Sequence, residues 1–257
     1  MMRPLRLVLA SALLLLTGAC ANLNLFSDSE LNALGVQAYA EATKEYPVVT
    51  SGPNYEMVQR VGRKIAAASQ EPFEWEFKLL HADDIPNAFC LPGGKVAIYS
   101  GILPLALNED GLAAVMGHEV AHAIRRHGGK RMTQNAMFEL VLTAANAGLS
   151  MTEMDEETKA LTMSALGVGG KVGILKYSRD HESEADVIGL RYAIRSGYDP
   201  NAAPLLWERM AQLSGDRGTP EWLSTHPTSL RRAAELRSMI PTLIAEDPSW
   251  DPKSVNK

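Results

Sequence analysis

The chain has 257 residues, 46% of them hydrophobic and 21% charged, with a formal net charge of -5. That length and balance support a sizeable buried core and exclude both a disordered and a fibrous chain. An acidic sum without a basic cluster argues against a nucleic-acid partner.

The first residues stand apart from the rest of the chain. Arg3 and Arg6 precede the apolar run Leu7 to Leu16, and TGAC then places small residues ahead of Cys20. A basic start with an apolar stretch too short to span a bilayer predicts a signal peptide over residues 1–19. LTGAC resembles a bacterial lipobox, in which Cys20 becomes the lipid-bearing N-terminus; an ordinary secretory signal cut near Ala19 or Ala21 is the alternative. With Cys20 lipidated, Cys90 has no intramolecular disulfide partner, so stability must come from the core or a metal.

SDSE, Ser27 to Glu30, is a capping box that predicts a helix ending at Tyr46, ahead of Pro47. A second helix starts near GPNYEMV, with Val58, Val61 and Ile65 at helical spacing. EWEFKLLH (Glu74 to His81), NAFCL (Asn87 to Leu91) and KVAIYS (Lys95 to Ser100) read as strands, the last two joined by a Pro92-Gly93-Gly94 turn. The expected class is therefore α+β, predominantly helical, with a small three-stranded antiparallel sheet.

A helix is expected from Asn108 to His127, stopping at Gly128-Gly129. Between Lys130 and Lys176, the apolar runs MFELVLTAANAGLSM and LTMSALGVGGKVGIL flank the acidic EMDEE. Glu139 and Asn146 argue against a membrane span there. A buried helical pair is one reading, and a lid bending at the glycines from Gly167 to Gly173 is the other. Further helices are predicted from Ser178 to Gly197, from Asp199 and Pro200 onward, and after Thr225 to Pro227. A fraying tail covers 247–257, and without a linker or repeat residues 20–246 read as one domain.

The chemistry concentrates in VMGHEVAHAIRRHGG. Positions four apart share a helical face, so His118 and His122 point one way with Glu119 beside them, the geometry of two imidazole zinc ligands and a nearby carboxylate. A surface helix can carry these residues without chemistry, and a metal needs another ligand. HESEAD, His181 to Asp186, supplies one: Glu182 and Asp186 share a face, with Gly189 on it to permit close helix packing. The plain alternative is a solvated acidic helix start. His127 and His181 read as solvated helix ends.

Together NAFCLPGGKVAIYSGIL, GHEVAH, SRDHESEAD and THPTSLRR, in this order from Asn87 to Arg232, resemble the HExxH zinc endopeptidases that include bacterial HtpX and BepA and the eukaryotic CAAX-prenyl endopeptidases. The resemblance implies a zincin-like domain, one zinc ion per chain held by His118, His122 and Glu182, and Glu119 as the catalytic glutamate. It matches Asp186 to a residue supporting a ligand, His226 to a histidine near the active site, and Arg232 to an arginine that supports it. It points to the periplasmic, signal-bearing branch, with unfolded envelope polypeptides as substrates and a lipid-anchored place in the bacterial cell envelope. A latent assembly factor using the same cleft is the alternative.

Two roles suit His226 besides a structural one: donor to an oxyanion, or fourth metal ligand that restrains the enzyme. The peptide is expected to add as a strand along Val96, Ala97 and Ile98. Cys90 reads as a buried small side chain.

Overall fold

The computed structural model describes residues 24–213, 226 and 230–247. The signal segment 1–19, Cys20, Thr225, Pro227 and the tail beyond 247 lie outside them. In chain order the elements are α1 (Asp28–Ala42), β1 (Val48–Val49), α2 (Pro53–Ser69), β2 (Glu76–Leu80), β3 (Ala88–Leu91), β4 (Lys95–Tyr99), α3 (Leu103–Ala106), α4 (Glu109–Ile124), α5 (His127–Ser150), α6 (Glu156–Arg195), α7 (Ala202–Leu213) and α8 (Leu230–Glu246). Among the described residues no helix is long and apolar enough to cross a membrane.

The described residues divide into two compact units, one of 28–126, 181–213, 226 and 230–247, the other of 24–27 and 127–180. The first holds the sheet, whose strand order is β1-β2-β4-β3. The expected β3–β4 hairpin forms around Gly93 and Gly94, whose φ of +82° and +83° suit residues without a Cβ. The expectation of three antiparallel strands is corrected. β2 and β4 run parallel in the register Glu76↔Lys95 to Leu80↔Tyr99, and two-residue β1 adds to β2.

Burial explains the order. Val96 and Ile98 enter the main core with Leu79, Val58, Val61 and Ile65, whereas Ala97 and Tyr99 join Tyr39 and Leu80 in a second cluster. An apolar strand buried on both faces belongs inside a sheet, and β4 is paired along both edges. The expectation that a peptide adds along Val96, Ala97 and Ile98 is therefore corrected, because β4 has no free edge.

Several boundaries also move. α1 ends at Ala42, not Tyr46, where Thr43 donates through its backbone N and Oγ1 to the Tyr39 carbonyl. The chain then extends so that Tyr46 meets Tyr99 edge to face, ring centroids 5.3 Å apart. α4 stops before Gly128: Arg126 takes φ +58° and pairs through Nη2 with Asp28 Oδ1 at 2.7 Å. Gly128 and Gly129 fall in the first turn of α5 instead. α7 begins at Ala202, because the Asp199 carboxylate accepts from the Asn201 backbone and holds 199–201 as a turn.

The second unit contains α5 and the first part of α6. α6 spans 40 residues and starts at Glu156, far ahead of the expected Ser178, with Asp155 accepting from Thr158 N at 2.8 Å as its cap. Its glycines do not break it. Gly170 lies under the Phe138 ring of α5, where a Cβ would stand 2.0 Å from Phe138 Cε2, so one glycine of the run makes room for an aromatic side chain.

Candidate metal centre

α4 opens on Asn108, whose Oδ1 accepts from Gly111 N at 3.0 Å, and is buried along nearly its whole length. Its residues Ala113, Ala114, Gly117 and Ala121 let other elements close around it, and it packs against α2, β3 and α7. α6 crosses it at a glycine pair: a Cβ on Gly117 would meet Gly189 O at 2.7 Å, and one on Gly189 would meet His118 N at 2.7 Å. This approach puts the His118/His122 face of α4 opposite Glu182 of α6.

Side chains of His118, His122, Glu182 and His226 converge, each offering one ligand atom, all within 4.8 Å of one another. His122 Nε2 lies 3.1 Å from His118 Nε2 and 3.3 Å from Glu182 Oε1, and His226 Nδ1 is 3.3 Å from His118 Nε2 and 3.2 Å from Glu182 Oε1. Tetrahedral zinc with bonds of about 2.0–2.1 Å separates its ligand atoms by about 3.3–3.4 Å, so the donor set fits that ion. Nitrogen and carboxylate oxygen are also the donors zinc takes in such sites.

Electrostatics makes the same demand for a cation. His118 Nδ1 lies 3.0 Å from Asp186 Oδ1, which leaves Nε2 as the atom facing the group. Burial pulls the His118 pKa down, but hydrogen bonds to Asp186 and Glu182 carry it up to about 9. Burial opposes ionisation of Glu182, yet hydrogen bonds with His118, His122 and His226 hold its carboxyl well below the usual range. Burial lowers the His122 pKa, favouring the neutral ring that binds metals.

A second layer surrounds the group. Arg232 forks onto Asp186, Nε to Oδ2 and Nη2 to Oδ1, both at 2.8 Å, while Nη1 reaches Glu182 Oε2 at 3.2 Å. Despite the burial that opposes it, Asp186 is held below its ordinary value by His118 and Arg232. Glu119 is 3% exposed, outside the converging set, with Oε1 3.6 Å from His226 Nε2.

The structure thus brings His118, Glu119, His122, Glu182, Asp186, His226 and Arg232 to one place. It leaves Val96, Ala97 and Ile98 within the sheet, and Cys20 lies outside the described residues. Cys90 is half-buried on β3, its thiol pushed up by burial and by the Glu119 charge. His127 and His181 are 3% and 7% exposed, which corrects their reading as solvated ends. His181 lies inside α6, and His127 opens α5. Trp207 of α7, in contact with His118, Asp186 and Arg232, is not singled out by the sequence: one tryptophan in PLLWERM reads as core.

The sequence model of Peptidase family M48 matches residues 54–240. Among curated proteins, the chain is 35% identical over 229 residues to Mitochondrial metalloendopeptidase OMA1 of Schizosaccharomyces pombe, covering 86% of this chain and 65% of that protein. It is 32% identical over 251 residues to Metalloendopeptidase OMA1, mitochondrial, of Danio rerio, covering 88% and 51%. It is 33% identical over 180 residues to Beta-barrel assembly-enhancing protease of Escherichia coli O157:H7, covering 68% and 36%. The chain thus spans from about a third to about two thirds of the length of these relatives.

Proposed function

This chain belongs to peptidase family M48, and from that membership we propose that it is a zinc-dependent endopeptidase of the bacterial cell envelope. It acts on misfolded or misassembled envelope proteins, tethered on the periplasmic side by lipid on Cys20. The observation that carries the catalytic part is the convergence of His118, His122, Glu182 and His226 beside Glu119. The envelope part is supported by the signal-like start with its lipobox and by the likeness to a protease named for β-barrel assembly. Other relatives are mitochondrial by name, so the location rests on this chain's own first twenty residues.

His118, His122 and Glu182 would hold zinc, which when bound supplies Lewis acidity toward the scissile carbonyl and the attacking water. Glu119 does the proton work: its carboxylate takes a proton from that water and delivers it to the leaving amine nitrogen. Asp186 orients the His118 ring, and Arg232 holds both Asp186 and Glu182 in place. We place the substrate backbone along β3, which among the described strands pairs only with β4 and packs on α4.

One observation favours a second state of the same enzyme. His226 Nδ1 sits inside the converging set, at hydrogen-bond distance from both His118 and Glu182. As a fourth ligand His226 would keep the protease latent until its ring leaves the metal, and a latent form could still bind clients.

The test is casein or peptide cleavage by the full chain, with and without a chelator, alongside Glu119→Gln. Cleavage should vanish with chelator and return with zinc. Glu119→Gln should retain the metal and lose cleavage, whereas wild-type turnover in that variant would sink the proposed mechanism.

A further inference from the structure

Asp186, beside the converging side chains, is held by three residues from three other helices. Its Oδ1 receives Arg232 Nη2 at 2.8 Å and Trp207 Nε1 at 3.1 Å, and it faces His118 Nδ1 at 3.0 Å. Its Oδ2 receives Arg232 Nε at 2.8 Å. The arginine fork sets the plane of the carboxylate. The indole bond arrives from a different helix, α7, and fixes where Oδ1 stands within that plane.

Trp207 also touches the ligand ring itself. It is 1% exposed, and its centroid lies 5.5 Å from that of His118 at an interplanar angle of 77°. The Arg232 guanidinium lies over it, 5.7 Å from the centroid. An indole has one N–H, and a buried one needs an acceptor; here it is given to the carboxylate that holds the metal-facing histidine. Rotation of the His118 ring would withdraw Nε2 from Glu182 and His226. Asp186 resists that rotation at Nδ1, and the Trp207 ring blocks it sterically.

We propose that Trp207 is a positioning residue for the metal centre, its indole N–H fixing Asp186 and its ring fixing His118 so that His118 Nε2 is presented to the metal. This rests on the reading of His118, His122 and Glu182 as zinc ligands. It makes α7, which contributes no ligand, a determinant of metal affinity.

The N–H and the bulk of Trp207 can be separated. Replacing Trp207 in the full chain by β-(3-benzothienyl)alanine keeps the ring size and removes the donor, and Trp207→Phe removes the donor and some bulk. Leu206→Val, at a fully buried neighbour on α7 that offers no hydrogen-bonding side-chain atom, controls for a loosened core. Zinc affinity is read by competition with a chromophoric chelator, and coordination by the visible bands of the cobalt-loaded protein. Both donorless variants should bind zinc several-fold more weakly, short of the roughly tenfold to hundredfold that follows loss of a histidine ligand's direct partner. Their cobalt bands should shift, while Leu206→Val keeps the wild-type affinity and spectrum. Wild-type affinity in the benzothienyl variant, or an equal loss in Leu206→Val, would overturn the role of Trp207. If the wild-type chain itself holds no zinc, the ligand reading falls and this inference with it.

Discussion

His226 differs from the residues around it in what holds it. His118, His122 and Glu182 are fixed along helices, whereas His226 lies in a bend between α7 and α8. Its two proposed roles predict opposite signs. Loss of an oxyanion donor should lower turnover on the order of a hundredfold, whereas loss of a fourth ligand should raise basal cleavage and leave zinc bound. We expect His226→Ala to raise basal casein cleavage at unchanged zinc content, and a fall in turnover would assign it to the oxyanion. Asp186 carries a second prediction, readable by acid titration of metal-free protein. Its folded pKa lies below the ordinary aspartate value, held there by His118 and Arg232 against the cost of burial. The stability it contributes is therefore present above about pH 4 and lost as pH falls through the folded value. Asp186→Asn should be less stable than wild type at neutral pH, and the gap should narrow on acidification. A constant gap would place the contribution of Asp186 elsewhere.

At the scale of elements, the crossing of α4 and α6 sets the distance across which His118, His122 and Glu182 meet. Gly189→Ala brings a Cβ to 2.7 Å from backbone atoms of Gly117 and His118, which cannot rotate aside. Overpacking of this kind costs about 1–3 kcal/mol, and the helices must part to relieve it. Both stability and zinc affinity should therefore fall, by thermal melting and chelator competition; unchanged zinc binding would mean that the crossing does not set the site. Gly189 is legible in the sequence because it shares a helical face with Glu182, and α2 because Val58, Val61 and Ile65 repeat at helical spacing. The sheet order is not legible, since local turn residues make the β3–β4 hairpin but do not say that β4 enters between β2 and β3. The start of α6 is hidden because glycine lowers helix propensity, and in this unit a glycine serves instead to seat Phe138. Trp207 is hidden because a metal partner at second remove has no sequence spacing of its own.

For the whole molecule, anchoring is tested by fractionation: wild-type protein should partition with membranes into detergent, and Cys20→Ser should be unprocessed or soluble. Identical behaviour of the two forms would exclude the lipid. A different consequence comes from the converging donors, because His118 and His226 are 108 residues apart in sequence and Glu182 and His226 are 44 apart. An unfolded chain does not hold that set together, so on the proposed ligation zinc should bind the folded form in preference. Each tenfold rise of free zinc above the dissociation constant then adds about 1.4 kcal/mol to stability. Cells starved of zinc should not merely hold this protein inactive but lose it faster, since more of the chain is unfolded at any moment and open to other proteases. Metal supply would then govern the lifetime of the molecule as well as its chemistry, and pulse-chase measurement of its half-life across zinc concentrations would show that dependence directly.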